Sequence, residues 1–478
     1  MIFNSFEYAI FLPIVVIVFW LLVKYERLRL WWLIVASYYF YCCWDWRFAG
    51  LIVFSTATDY VAGLCIYKSQ SHRVRKAWLI ASLVVNFGCL GFFKYCDFFI
   101  DNFNAIFHSL GMHFTIEQLH IILPVGISFY TFQTLSYTLD IYRGNLKPTR
   151  SFSKFAMFVA FFPQLVAGPI VRAHEFLPQL EQKPKYDDDA AVRGIYQILS
   201  GLFKKVMIAD ILAATLVDPI FANPESFSSF WILLGIYGYT MQIYCDFSGY
   251  SDIAIGSARL MGYTLPINFN RPYLATSLTD FWRRWHISLS TWLRDYLYFP
   301  LGGNRFGTWK TYRNLFITMF LGGLWHGAAW NFVIWGSIHG VGLAIEKAIF
   351  GGKKLLSLEG QSKFVIFLRW FITFHIVVLC WIFFRAQGSD AFSSTSNACS
   401  IITRIMTLTP GQSAFSWWAV LVLILGYLMH FTPVSWQHKS IDFYVRSGVI
   451  FQAIIVVIFL TIYTIFGVSG GGFIYFQF

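Results

Sequence analysis

Charged residues are scarce in this sequence. Only 13% of its 478 residues are Asp, Glu, Lys or Arg, whereas a soluble globular domain carries about 25%. Hydrophobic residues make up 57% of the chain and aromatic residues 20%. A soluble protein of this composition could not cover its surface with polar groups. The composition therefore excludes an ordinary soluble domain and indicates that lipid is the solvent.

Several familiar catalytic patterns are absent as well. The chain has no G-x-S-x-G elbow, no H-E-x-x-H helix, no Walker A loop and no G-x-G-x-x-G turn, which argues against serine-hydrolase, zinc-protease and nucleotide-phosphate chemistry. Its eight cysteines include no C-x-x-C pair, so we expect free buried thiols and predict no metal site. No repeat or linker divides the chain, which predicts a single membrane-embedded domain over residues 1–478.

Long apolar runs, by contrast, are abundant, and residues 448–467 contain no charged side chain at all. A helix of roughly 20 apolar residues crosses the ~30 Å hydrocarbon core of a bilayer, and lipid admits only helices or closed barrels. The alternation of a barrel strand is missing. We therefore predict an all-α, polytopic integral membrane protein with about 10–12 transmembrane or re-entrant helices. Segment 158–170, interrupted by Pro163 and Pro169, is expected to be a broken half-helix.

The formal net charge of +12 raises nucleic acid as a partner, but no recognition motif accompanies it. The basic residues instead occupy short loops between apolar runs, as in cytoplasmic loops that face anionic lipid. These clusters are Lys24, Arg27 and Arg29; Lys68, Arg73, Arg75 and Lys76; Arg143, Lys147 and Arg150, after a span predicted at 121–139; Lys353, Lys354 and Lys363; and Lys439 and Arg446. If they are cytoplasmic, both termini are extracytoplasmic.

Residues 271–313 combine basic and aromatic side chains. The segment contains seven Lys and Arg residues but only two acidic residues, Asp280 and Asp295, so its formal charge is +5. One interpretation is an interfacial anchor that faces lipid. The other is a cytoplasmic mouth that attracts an anionic donor such as a CoA thioester, because Arg and Lys bind phosphates. The candidate donor-binding residues in this segment are Arg283, Arg284, Ser290 and Asp295.

His326 is the strongest candidate for chemistry, since an ionisable group at membrane depth is a functional hypothesis by default. The mostly apolar stretch 314–350 would form about 55 Å of helix, close to the ~60 Å that two crossings need. Its first arm, 314–324, is about 16 Å long and would end near mid-membrane. Gly322, Gly323 and Gly327 allow a break there and leave room for a thin acyl chain. A buried structural histidine is the alternative.

Three further histidines require a choice between chemistry and packing. His286, in FWRRWHISLSTWLRDYLYFP, is the second candidate, and its alternative is an interfacial histidine bonded to a carboxylate. For His339 and His375, which lie within apolar runs, we favour packing. Imidazole suits proton transfer near neutral pH, so a deep histidine could take the proton of an acceptor hydroxyl as it attacks a thioester.

Two strings, RPYLATSLTDFWRRWHISLSTWLRDYLYFPLGGNR and LGGLWHGAAWNFVIWGSIHG, resemble the membrane-bound O-acyltransferase family, close to its bacterial alginate O-acetyltransferase branch. MIFNSFEYAIFL, QIYCDFSGYSDIAIG and FIYFQF are similar to that branch too. The resemblance implies a helical funnel with its catalytic core at about 121–350, His326 as the catalytic histidine and His286 as its partner. Trp325 and Asn331, in the second string, join the candidate substrate-binding residues.

The resemblance also implies an activity. Such proteins, in the bacterial inner membrane, pass acetyl groups outward to an extracytoplasmic partner acetyltransferase, which esterifies polysaccharide hydroxyls. The donor would be acetyl-CoA or a carrier-bound thioester, with no permanently bound cofactor, and lipids and the partner enzyme would be its contacts. Two other classes stay open on the residues alone: a transporter or flippase for a polysaccharide or lipid-linked sugar, and a non-catalytic scaffold.

Overall fold

The computed structural model describes residues 1–112, 114–351, 358–386, 388, 392–467 and 473–474. Across these residues the chain is helical, and its only strand-like pairing is an isolated parallel bridge between Phe227 and Gln412. The all-α prediction is therefore confirmed.

The first half of the chain forms a run of six longer helices followed by mostly short ones. Their bounds are α1 Phe6–Leu21, α2 Glu26–Asp45, α3 Ala49–Lys68, α4 His72–Leu90, α5 Cys96–Ser109, α6 Ile127–Arg143, α7 Phe152–Ala160, α8 Phe162–Leu165, α9 Ala173–Glu181, α10 Asp188–Leu202 and α11 Asp218–Ala222. Wider π-helical turns occupy Gly91–Tyr95, Phe203–Asp210 and Ala213–Val217, and 3₁₀ turns occupy Trp46–Phe48 and Pro224–Ser226.

The second half opens with the longest helix. Its bounds are α12 Ser229–Leu260, α13 Leu278–Trp282, α14 Ile287–Leu293, α15 Thr308–His326, α16 Trp330–Phe350, α17 Lys363–Arg385, α18 Ser393–Met406, α19 Trp417–Phe431, α20 Val434–Arg446 and α21 Val449–Phe466, with a π turn at Arg294–Tyr298 and a 3₁₀ turn at Pro272–Leu274. Helix α12 joins two hydrophobic cores, because Phe247 and Tyr250 belong to one and Tyr239 and Met241 to the other.

Membrane-spanning length and apolarity occur in five helical stretches of the described chain, or six if the bent pair α19–α20 counts as one. They are Glu26–Lys68, His72–Ser109, Trp330–Phe350, Lys363–Arg385 and Val449–Phe466. The last, which matches the apolar run 448–467, has no buried residue, as expected of a helix surrounded by lipid. Lys353 and Lys354, which the sequence assigns to a cytoplasmic loop, lie outside the described residues.

The span expected at 121–139 begins later than predicted. Helix α6 starts at Ile127, after an irregular stretch that contains Pro124 and ends at Gly126. Gly126 has a φ of +79°, and a Cβ there would lie 2.6 Å from the carbonyl oxygen of Leu165. The close approach and the left-handed backbone both require glycine. Segment 158–170 is broken as predicted, because α7 ends at Ala160 and the short α8 follows.

Helices α15 and α16 form a tightly packed hairpin. A Cβ on Gly323 would lie 2.3 Å from the carbonyl oxygen of Phe332, and a Cβ on Gly336 would lie 2.4 Å from that of Met319. Glycines thus let the two backbones approach closely, as small residues do in membrane helix pairs. Helix α15 begins at Thr308 and is about 28 Å long, longer than the arm expected from residue 314.

Candidate active site

His326 is the last residue of α15, directly before the break that separates it from α16. Its side chain is buried, at 3% exposure. Aromatic rings surround it, with centroids 5.0 Å away for Trp325, 4.9 Å for Trp335 and 5.2 Å for Phe384. The predicted position of His326 at a helix break is confirmed.

One side of His326 opens onto a pocket. The residues that line it are Lys94, Leu123, Pro124, Val125, Gly126, Ile127, Ser128, Phe129, Val166, Trp325 and His326. Most of the lining comes from residues 123–129, which comprise the end of the irregular stretch before α6 and the first turn of that helix. The pocket is the place where a small acceptor could meet the imidazole, and irregular backbone at such a cavity is typical of functional sites in membrane proteins.

The sequence suggested a helix break at Gly322, Gly323 and Gly327, but only Gly327 lies between α15 and α16. Gly322 and Gly323 are inside α15. The space beside Gly323 and Gly327 is filled, since a Cβ on Gly327 would lie 2.1 Å from the ring of Phe332. The expectation that these glycines leave room for an acyl chain is therefore wrong for Gly323 and Gly327, which serve close packing instead.

His286 is fully buried and precedes α14 with a left-handed backbone, φ +42°. Its Nδ1 lies 3.1 Å from the side-chain oxygen of Asn268. Within the described residues, the partner of Nδ1 is thus a buried amide and not the carboxylate of the alternative interpretation. The ring packs against Phe247, with centroids 4.7 Å apart, and lies 6.1 Å from Trp325.

Trp325 therefore contacts both histidines and connects the two candidate motifs. Its indole also begins a series of packed rings that leads away from the pocket. Phe132 lies 5.4 Å from Trp325 and stacks on Trp292 at 3.8 Å, and Trp292 lies 5.0 Å from Tyr296. This series runs from the histidines to the basic segment around residue 295.

Four of the predicted donor-binding residues do not line the pocket. Arg283 is exposed, and Arg284 pairs with Asp280 at 2.8 Å. The hydroxyl of Ser290 donates to the carbonyl oxygen of Trp285 at 3.2 Å. Arg283 and Arg284 lie in the turn between α13 and α14, and Ser290 lies on α14. All three are close to His286 in sequence but outside the pocket.

Asp295, the fourth, lies beside the far end of the ring series. It accepts from Arg294 at 2.7 Å and pairs with Arg172 at 2.8 Å. Burial raises the pKa of its carboxyl, but the hydrogen bonds from Arg294 and Arg172 outweigh burial, and the net shift is downward. The guanidiniums of Arg172 and Arg143 also lie over the ring of Tyr296, at 5.2 and 5.1 Å.

Asn331 has a contact that the motif alone does not suggest. Its amide donates to the carbonyl oxygens of Phe383 and Ala386, at 2.9 and 3.0 Å. These carbonyls are at the end of α17, so Asn331 ties α16 to α17 rather than lining the pocket. The packing roles expected of His339 and His375 agree with their contacts, to Trp282 at 3.3 Å and to Tyr237 at 2.9 Å.

Two site residues were missed from the sequence. Lys94 lines the pocket and donates to the carbonyl oxygens of Trp325 and His326, and Asn268 holds His286. A signal for Lys94 existed, because it is a lone cation in the apolar string CLGFFKYC, and a buried cation at membrane depth is functional by default. No pattern around Asn268 marks it, since its partner is 18 residues away.

The comparison with known proteins decides the family. A family model described as "MBOAT, membrane-bound O-acyltransferase family" matches residues 147–389. The chain belongs to this family. The matched residues include both candidate histidines, His286 and His326. It establishes the chain as an acyltransferase, so the transporter and scaffold interpretations lapse.

Relatives extend the similarity over most of the chain. A protein described as "probable alginate O-acetylase AlgI" from Pseudomonas aeruginosa is 46% identical over 392 residues, 81% of this chain and 72% of the relative. A peptidoglycan O-acetyltransferase from Helicobacter pylori is 40% identical over 412 residues, 80% of this chain and 76% of the relative. A teichoic acid D-alanyltransferase from Streptococcus thermophilus is 31% identical over 287 residues, 56% of this chain and 69% of the relative.

Proposed function

We propose that this acyltransferase takes an acetyl group from a cytoplasmic thioester, acetyl-CoA or a carrier-bound equivalent, and passes it across the membrane for O-acetylation of an extracytoplasmic polysaccharide such as alginate. The observation that carries the proposal is His326 at the end of α15, lining a pocket on one side and enclosed by aromatic rings on the others. The similarity to proteins described as alginate O-acetylase and peptidoglycan O-acetyltransferase supports acetyl and a polymer acceptor.

In the proposed reaction, His326 removes the proton from the acceptor hydroxyl as its oxygen attacks the thioester carbonyl. The new C–O bond forms, the C–S bond breaks, and the proton passes from the imidazole to the departing thiolate. General-base catalysis of this kind typically contributes about 10²–10⁴-fold in rate. His286, joined to His326 through Trp325, would orient the reacting groups from the other side of the indole.

The donor is proposed to enter at the basic end of the ring series. Arg143, Arg172 and Arg294 gather there around Asp295 and Tyr296, and the net positive charge of segment 271–313 favours the cytoplasmic side. In this orientation both termini are extracytoplasmic, and α15 runs outward to His326. The pocket then lies at the outward end of α15, toward the side on which a partner acetyltransferase would receive the acetyl group.

Acetyl transfer by the purified protein tests the proposal. The protein would be reconstituted in vesicles that contain entrapped acetyl-CoA with a labelled acetyl group, and a short oligosaccharide with the candidate partner would be added outside. We expect label in the sugar, detected by mass spectrometry, only with protein, acetyl-CoA and an acceptor present. If the label stays on CoA under every condition, acetyl-CoA is not the donor. Repeating the assay with an entrapped acyl-carrier thioester in place of acetyl-CoA shows which of the two thioesters is used.

A further inference from the structure

Every carbonyl at the end of α15 has a hydrogen-bond donor. The last four carbonyls of a helix have no partner in the following turn. Here Gly327 N donates to Gly323 O at 3.4 Å, and the hydroxyl of Tyr95 donates to Leu324 O at 2.6 Å. The amine of Lys94 donates to the carbonyl oxygens of Trp325 and His326, at 2.7 and 2.9 Å.

Lys94 and Tyr95 belong to the π-helical turn Gly91–Tyr95, which interrupts the stretch His72–Ser109. Turns of this type occur mostly within α-helices and often at functional sites. The turn places two neighbouring side chains on the same target, the terminus of a helix more than 200 residues away in the sequence. Lys94 is thus fixed to the backbone of the residue proposed as the base.

The amine of Lys94 has capacity beyond these two bonds. An ammonium carries three N–H donors, and within the described part of the chain no Asp or Glu forms an ion pair with Lys94. The side chain lines the same pocket as His326. A cation at a helix C-terminus is also favoured by the macrodipole, so its placement stabilises the end of α15 while its third donor stays available to the pocket.

We propose that Lys94 is a positioning residue for acyl transfer: it fixes the main chain of His326, and hence the direction of the imidazole, from the pocket side. This inference rests on the proposed role of His326 as base. A misplacement of about 1 Å can cost about 10²-fold in rate. Helix α15 ends at His326, so no intrahelical hydrogen bond restrains the carbonyls of Trp325 and His326. The bonds from Lys94 provide that restraint.

The test compares three substitutions of Lys94 with Tyr95→Phe in the purified protein. Lys94→Met removes every donor but keeps the chain length, Lys94→Gln keeps a neutral donor, and Lys94→Arg keeps the charge and several donors. We expect kcat to fall about 10–100-fold in Lys94→Met, with KM for the thioester donor within about twofold of native. Lys94→Arg should recover most of kcat and Lys94→Gln part of it. Tyr95→Phe, which frees a carbonyl one residue further from His326, should lose less.

Thermal unfolding in detergent separates positioning from stability. Lys94→Met and Tyr95→Phe should melt at similar temperatures, but Lys94→Met should have the lower kcat. If both variants melt at the same temperature and lose kcat equally, Lys94 only caps the helix and the proposal is wrong. A native kcat in Lys94→Met would overturn it too. If that variant does not fold, a kcat in Lys94→Arg no higher than that in Lys94→Gln has the same meaning, because the proposal expects Lys94→Arg to recover more. An inactive wild-type protein would instead reject the proposed function itself.

Discussion

Asn268 fixes the tautomer of His286. The side-chain oxygen of Asn268 lies 3.1 Å from Nδ1 of the ring, and it also accepts from the main-chain N–H and the hydroxyl of Ser288, at 3.2 and 2.9 Å. The reverse orientation of the amide would point its NH₂ group at the N–H of Ser288. The oxygen therefore faces His286, so Nδ1 carries a proton, and in the neutral ring Nε2 carries the lone pair.

Replacing Asn268 by Leu is expected to lower kcat about 10–100-fold, because a neutral His286 is then free to change tautomer and orientation. Asn268→Asp keeps an oxygen at the same position and should recover part of the rate. The matched control is Ser251→Ala, which removes only the weaker 3.3 Å bond to the amide nitrogen of Asn268. A native rate in Asn268→Leu would mean that the orientation of His286 does not limit transfer.

His326→Gln provides the direct test of proton abstraction. Glutamine keeps the size and hydrogen-bonding capacity but lacks a basic nitrogen, so acetyl transfer should fall by about 10²–10⁴-fold. The comparison is His339→Gln, which changes another buried histidine, bonded to Trp282, and should retain most activity. Both variants would be assayed after gel filtration confirms that they are folded. Near-native transfer by His326→Gln would rule out the base and leave an orienting role.

The sequence predicted the local features of this fold and missed contacts between distant segments. The apolar run 448–467, the break after His326 and the interruption at Pro163 follow from hydropathy and from glycine and proline chemistry, which act over a few residues. The contacts of Lys94 join segments more than 200 residues apart, and such pairing depends on how helices pack. The start of α6 was misplaced because Pro124 and Gly126 lie within an otherwise apolar run.

For the candidate site, too, the sequence predicted some residues correctly and misplaced others. His326, His286 and Trp325 were predicted from their motifs, and the structure brings them together around one indole. Arg283, Arg284, Ser290 and Asp295 share the motif of His286 but lie outside the pocket. Arg284 and Asp295 form ion pairs, Ser290 bonds to a main-chain carbonyl, and Arg283 is exposed. Proximity in sequence was therefore a weak guide to proximity in space for charged residues near the interface.

Reversing the charge of Arg283 tests whether the basic segment attracts the donor. Arg283 is exposed, whereas Arg284 already pairs with Asp280. Arg283→Glu alone should therefore raise KM for acetyl-CoA and make KM less dependent on salt, with kcat little changed. Arg193→Glu alters the net charge by the same amount at an exposed pair with Asp442 and serves as the control. Equal effects of the two variants on KM would indicate that the net charge of the protein attracts the donor, rather than a local donor site at Arg283.

The orientation of the chain can be measured with a single cysteine. Arg305 is exposed and lies between α14 and α15, in the segment predicted to be cytoplasmic. In a background without native cysteines, Arg305→Cys should resist a membrane-impermeant maleimide added to intact cells and react after the cells are opened. A cysteine at Gln118, between α5 and α6, should react in intact cells, because the same orientation places that loop outside. Labelling of position 305 from outside would reverse the proposed topology.

Gly323→Ala is predicted to disrupt the α15–α16 hairpin and, through it, the site. The new Cβ would lie 2.3 Å from the carbonyl oxygen of Phe332 and 3.1 Å from Cα of Gly336, and neither backbone atom can move without displacing α16. Overpacking of this kind typically costs about 1–3 kcal/mol.

The matched control is Gly88→Ala in α4, where a Cβ would meet nothing within 4 Å and where alanine is the better helix former by about 1 kcal/mol. The two variants would be heated in detergent, and the folded fraction measured by gel filtration. Gly323→Ala should lose folded protein and acetyl transfer at a lower temperature than the native chain, whereas Gly88→Ala should match or exceed it. Because His326 is only three residues beyond Gly323, a displaced α15 should also lower kcat in the protein that stays folded. Identical melting of both variants would show that the two helices are not in backbone contact at this glycine.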